Sequence, residues 1–219
     1  MITTKRAEKF LHSFVPLDDL KTTEVNGKRH YVTPEGTFPS VTTVLSEKLS
    51  KQSLNEWRAK VGEQEADRIS KLARDRGTAV HNICERYILN EEYRSGVMPT
   101  DMHTFLQIKP YLDLNLGSIY GIEAPLYSSR LKTAGRTDLL AGWQGINSVV
   151  DFKTSRNPKK EEYIESYFLQ ATCYSLMAEE RTKIKFPQIV VVIAVDHEDP
   201  QIFVKQREQY VDEVLRIFQ

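Results

Sequence analysis

Ala134-Gly135-Arg136-Thr137-Asp138-Leu139-Leu140-Ala141-Gly142-Trp143, then Gln144-Gly145, then Ile146-Asn147-Ser148-Val149-Val150-Asp151-Phe152-Lys153-Thr154, is the stretch that decides the fold. Two apolar runs flank a Gln-Gly pair, which reads as a strand, a tight turn and a returning strand. Thirteen residues separate Asp138 from Asp151. An antiparallel return over that distance sets the two carboxylates side by side. Lys153 stands two residues beyond Asp151, so it points to the same face of the strand.

Upstream, residues 118–128 read as a further strand. Residues 101–114 read as a helix, and so do residues 52–92, whose apolar positions fall at three- and four-residue steps. Gly62 and Gly77 are candidate breaks in that long helix. Nearer the N-terminus, Asn26-Gly27 ahead of Arg29-His30-Tyr31-Val32 predicts a hairpin. Pro34, Gly36 and Pro39 read as chain breakers, and the Ser and Thr residues of 40–45 can cap a short helix. Downstream, 159–180 returns to helical spacing. Residues 188–195 (Gln-Ile-Val-Val-Val-Ile-Ala-Val) form the β-branched run of a strand covered on both faces. Residues 201–205 are expected to pair with it, and 206–218 to close the chain as a helix. The predicted fold is therefore α/β, a central mixed β-sheet flanked by helices with an N-terminal, mainly helical elaboration.

The 219 residues suit one domain spanning 1–219, with 1–70 as elaboration and 71–219 as core. Lys plus Arg and Asp plus Glu are 30 each, so net charge gives no argument for a polyanionic partner and any such binding needs a local patch. Cys84 and Cys173 both sit in apolar helical patterns and read as reduced core thiols. Two cysteines cannot furnish a four-cysteine iron–sulfur or zinc site. The early Lys and Arg are followed by Glu8, Asp18 and Asp19 with no apolar stretch, so no signal peptide is expected. No run approaches the span of a bilayer. A soluble protein of a reducing, cytoplasmic compartment is the expectation, with no membrane partner.

Two adjacent carboxylates repel, and a hard divalent cation such as Mg²⁺ removes that cost. Asp-Phe-Lys alone is also a common strand-end surface pattern. Its surroundings shift the balance. Gln170 and Tyr174 lie four apart on the helix that follows and share a face. Arg76-Gly77-Thr78-Ala79-Val80-His81 puts a histidine on an otherwise apolar helix upstream. Together, Arg76-Gly77 to His81, Gly135 to Asp138, Asp151 to Lys153 and Gln170 to Tyr174 resemble the RecB-type branch of the PD-(D/E)XK nuclease superfamily. Within it the chain looks most like phage and mitochondrial-genome-maintenance exonucleases, to which Pro39-Ser40-Val41-Thr42-Thr43-Val44-Leu45 is also similar.

That resemblance implies a restriction-endonuclease-like core. It implies Mg²⁺ or Mn²⁺ held by Asp138 and Asp151, with the Phe152 backbone carbonyl and His81 as further ligands. Lys153 would position the attacking water or stabilise phosphate charge, so Asp138, Asp151, Lys153 and His81 are the catalytic candidates. Gln170 and Tyr174 would orient Lys153 or touch the nucleic acid, and Arg76 and Arg136 would contact DNA. Glu123, on the first predicted strand, is an additional candidate ligand with an ordinary strand residue as the alternative. The iron–sulfur cysteines of some relatives are absent, so no cluster is expected. Asp151 stands where the family often has glutamate.

Weaker signals surround this set. Lys48, Lys51, Arg58, Lys60, Arg68, Lys71 and Arg74 could line a channel, but interleaved acids fit a solvated helix as well. Trp57, Tyr87 and Tyr167 can stack bases or simply pack. His81 and Glu85 lack the second histidine of a zinc-protease motif, and Asp196-His197-Glu198-Asp199-Pro200 reads as a solvated turn. The expected function is a metal-dependent DNA exonuclease acting on single strands or DNA ends, from a phage or bacterial source. The alternatives are a flap- or branch-cutting endonuclease, a non-catalytic nucleic-acid binder, or a metal hydrolase of another substrate.

Overall fold

The computed structural model describes residues 9–49 and 52–219; Glu8 and Lys51 lie outside that range. Among the described residues the N-terminal part holds an antiparallel sheet, β1 (Lys21–Val25), β2 (Lys28–Thr33) and β3 (Gly36–Pro39), in that order. Asn26 and Gly27 both take positive φ (52° and 72°), the requirement of a two-residue turn that matches strand twist. The expected hairpin is present. Its third strand was not expected, because Gly36 and Pro39 read as breakers. Pro39 is tolerated because it ends an edge strand. The elaboration is thus a small sheet as well as helices.

Ser40 caps the helix α1 (Val41–Lys48), its Oγ accepting from the Thr43 N–H at 3.1 Å. The helix α2 (Gln52–Val61) is separated from α3 (Glu63–Ile88) by Gly62, whose φ of 87° stops one helix and admits the next. Gly77 does not break α3. A Cβ there would stand 3.9 Å from Thr154 Oγ1, so the position passes close to the sheet. The helix α4 (Pro99–Asn115) then leads into the main sheet.

That sheet is β4 (Leu116–Ser128), β5 (Thr133–Trp143), β6 (Ile146–Ser155), β7 (Gln188–Val195) and β8 (Gln201–Gln206), hydrogen-bonded in sequence order. All neighbours are antiparallel except β6 and β7, which are parallel and joined by the crossover helix α5 (Glu165–Thr182). The helix α6 (Val211–Phe218) closes the chain. Every residue of β7 is buried, as its β-branched run predicts. One face carries α1, α5 and α6 over Leu140, Val149 and Val191. The other carries α3 and α4 over Leu139, Val150 and Val192. The mixed α/β fold with a helix-flanked central sheet is the one the sequence predicts.

Cys84 and Cys173 are free and buried, one in each of these layers. The edge of β4 is covered by residues 11–13: Ser13 N–H donates to Ile119 O at 2.7 Å and Ile119 N–H to Leu11 O at 2.8 Å. The small sheet docks on β5 through Leu20, Tyr31, Phe38 and Ala134, and Thr133 Oγ1 donates to Pro39 O at 2.8 Å. No helix of the described residues is long and apolar enough to cross a membrane.

Candidate metal centre

The site lies where β5 and β6 part. Their ladder runs from Trp143 opposite Ile146 to Leu139 opposite Val150 and ends there. One further step would bring Asp138 opposite Asp151. Instead β5 continues beside β4, with Thr137 opposite Ala124, and β6 continues beside β7, with Asp151 opposite Val191. A side chain replaces the lost ladder bond: Phe152 N–H donates to Asp138 Oδ2 at 2.7 Å. His81 reaches the same fork from α3. Its Nε2 lies 2.7 Å from the Phe152 carbonyl oxygen and its Nδ1 3.5 Å from Asp138 Oδ1.

Glu123 sits in β4 between the pairs Ile122–Leu139 and Ala124–Thr137, which places it across from Asp138. Its φ is 44°. A non-glycine residue in the left-handed region within a strand costs energy, and such strain gathers at functional sites. The result is that one ligand atom from each of His81, Glu123 and Asp138 lies within 4.8 Å of the others. Asp151 stands just behind, 2% exposed. Gln170 Nε2 donates to its Oδ1 at 3.2 Å. Its Oδ2 meets the Lys153 ammonium in an ion pair and has no other polar partner. Lys153 Nζ in turn lies 5.2 Å from the centre of the Tyr167 ring.

The charges follow from this geometry. Burial works against a charged His81, but the Asp138 carboxylate outweighs it and lifts the imidazole pKa to about 9. Asp138, although buried, is held below the ordinary carboxylate range by His81 and Lys153. Burial, with the Asp138 charge added, pushes Glu123 to about 7. Burial raises Asp151 to about 6, Lys153 opposing and Asp138 assisting. Lys153 is raised despite burial, because Asp151 and Asp138 hold it as the ammonium. Three acids around one histidine, two of them reluctant to ionise, make a cation sink. An oxygen-rich set with one imidazole and a poorly satisfied carboxylate oxygen fits a divalent metal ion.

A cleft of about 490 Å³ opens over this set. The structure brings His81, Glu123, Asp138, Lys153, Arg136, Gln170 and Tyr174 to its walls. Arg136 donates to the Glu123 carbonyl at 3.1 Å and pairs with Asp19. Gln170 holds Asp151 and not Lys153. Tyr174 packs on Gly135, where a Cβ would come within 2.7 Å of the phenol oxygen. Arg76 is not at the cleft: it pairs with Asp196 and donates to Thr104 Oγ1 at 2.9 Å. Arg58, Arg68 and Lys71 are each paired with acids of the same helical region. Tyr87 packs among Phe10, Tyr93 and Phe105. Sequence reasoning missed Arg29, Tyr31, Thr42 and Asn82 as wall residues. Asn82 adjoins His81 in sequence, but Arg29 and Tyr31 arrive from the small sheet, which no spacing rule predicts. Glu85, four residues from His81, also lines the cleft.

No protein-family model matches this chain, and no curated protein matches it. Among solved structures it is similar to one from Eubacterium rectale described as a "putative exonuclease", with a TM-score of 0.46 and 12% identity. The match covers 65% of this chain and 63% of that one, so the chain spans less than two thirds of its length. A likeness at this level says nothing of the reaction.

Proposed function

We propose that this chain is a divalent-metal-dependent nuclease that hydrolyses DNA phosphodiester bonds, of the PD-(D/E)XK type that its motifs resemble. The observation that carries the reading is the fork between β5 and β6, which sets His81, Glu123, Asp138 and Lys153 at one opening, with the buried Asp151 behind them paired to Lys153. Asp138, Asp151, Glu123, His81 and the Phe152 carbonyl would hold Mg²⁺ or Mn²⁺. When bound, such an ion polarises a phosphoryl oxygen and lowers the pKa of a bound water. Lys153 is kept charged, which suits stabilising negative charge on the phosphate and not abstracting a proton. Gln170 fixes the Asp151 carboxylate. Arg29 and Arg136 stand in the cleft wall where strand phosphates would run. The Arg136–Asp19 pair is exposed on the Asp19 side, and such pairs cost little to exchange for a phosphate. Arg76, braced between α4 and the β7–β8 turn, is assigned to positioning α3.

We read the elaboration of residues 1–70 and the core of 71–219 as one unit, because Arg29, Tyr31 and Thr42 complete the wall of the cleft. The substrate we assign is DNA with free ends, in single-stranded form. Incubating end-labelled linear single-stranded, linear double-stranded and circular single-stranded DNA with Mg²⁺ or Mn²⁺ tests this. Loss of linear DNA with the circle spared supports the exonuclease. Cutting of the circle moves the assignment to an endonuclease with the same site. No metal-dependent cleavage of any of them overturns the reading.

A further inference from the structure

Beside the cleft, between α1 and α5, runs a second concavity of about 310 Å³, near the lower end of small-molecule pockets (roughly 300–1,000 Å³). Its floor and sides are Leu45, Leu49, Leu54 and the Tyr167 ring. Among the described residues, no charged one lines it. It is continuous with the catalytic cleft, since Thr42 and Gln170 form part of both walls. Tyr167 is also the ring beside Lys153 Nζ. The charged side chains are therefore confined to one of two neighbouring compartments: Lys153, Arg29 and Arg136 stand in the cleft beside the carboxylates of Glu85, Glu123 and Asp138, while the groove offers aliphatic and aromatic surface. A nucleotide is divided in the same way, into an anionic phosphate and a flat, uncharged base.

We propose that this groove is the subsite for one unpaired nucleobase of the strand whose phosphate lies in the cleft, an inference that rests on the nuclease reading above. Every base has a π-face, so an aromatic and aliphatic seat accepts any of them. A paired base must first be unpaired and unstacked to enter it. The groove thus gives the site a preference for single strands with little dependence on sequence.

The test uses full-length protein carrying Asp151→Asn, which prevents cleavage during binding, and short oligonucleotides with a single abasic site walked along the strand. At one register the abasic site weakens binding about tenfold, the typical effect of losing one stacked base. Ser46→Trp and Ser166→Trp, each at the groove wall, fill the groove and abolish the difference between intact and abasic strands. Circular dichroism and melting confirm that each variant is folded. Equal affinity for intact and abasic strands at every register overturns the proposal, as does full base dependence in both folded tryptophan variants. In either case, continued metal-dependent cleavage of intact DNA by the unsubstituted protein leaves the nuclease reading standing. Absence of all such cleavage overturns both.

Discussion

The Lys153 ammonium lies between the Asp151 carboxylate and the Tyr167 ring, and Asp151 and Asp138 hold it charged despite burial. Lys153→Ala is expected to lower cleavage by roughly 10²–10³-fold, the scale of losing one preorganised donor, while calorimetric metal binding persists. Equal loss of metal binding would assign the lysine to folding the site instead. Gly135 makes a steric prediction. An added Cβ meets Tyr174 Oη at 2.7 Å and Cε1 at 2.8 Å, so Gly135→Ala should destabilise the fold by about 1–3 kcal/mol, read from a denaturant melt. That Lys153 meets Asp151 was legible because a period of two puts both on one face of the strand; that Asp138 reaches them across a parted ladder was not. Glu123 was only half legible: its carboxylate reaches the cluster from a backbone at φ 44°, which nothing in the residue type announces. Gln170 was legible as a wall residue but not as the partner of Asp151, because a side chain's endpoint depends on which acid is nearest.

At the scale of elements, α1 is short, and it carries Thr42 into both the cleft and the groove. Its N-terminus depends on the Ser40 hydroxyl. Ser40→Ala should cost about 1 kcal/mol of stability, measured by urea unfolding; because Ser40 is buried, Ser40→Asp should not recover it, a carboxylate there being desolvated. Gly77 lies inside α3 with ordinary helical backbone and 3.9 Å of clearance to Thr154. Gly77→Ala is therefore expected to gain about 0.5–1 kcal/mol; a loss would mean that the approach of α3 to the sheet cannot accept a methyl group. The strands and helices of the core were readable because period 2 and period 3.6 differ plainly there. The strand β3 was not, since Gly36 and Pro39 carry turn signals that its edge position overrides. Gly77 misled for a related reason: a glycine marks close approach as readily as it marks a break.

At the scale of the whole molecule, what the sequence could not show is that β5 and β6 separate just where their acids would meet. That divergence depends on β5 following β4 and β6 following β7, a property of the complete sheet. Three of the titratable groups it gathers are shifted the same way. His81 at about 9, Glu123 at about 7 and Asp151 at about 6 all lie above their ordinary values. Each therefore contributes stability that is full below its unfolded pKa and is lost as pH rises through its folded one. Asp138, shifted down, acts only at lower pH. The metal-free protein should thus melt at falling temperature as pH rises from about 5 to 9. Metal ligation requires these protons to leave, so the increase in melting temperature caused by Mn²⁺ should grow over the same range. A metal-induced increase that is flat with pH would mean that the ion binds elsewhere. The most direct test of the site itself is cleavage of end-labelled linear single-stranded DNA by the unsubstituted protein and by Asp138→Asn, each with Mn²⁺ and with EDTA. Cleavage is expected only from the unsubstituted protein with metal. Cleavage that survives EDTA, or that a folded Asp138→Asn protein performs at the unsubstituted rate, would contradict it.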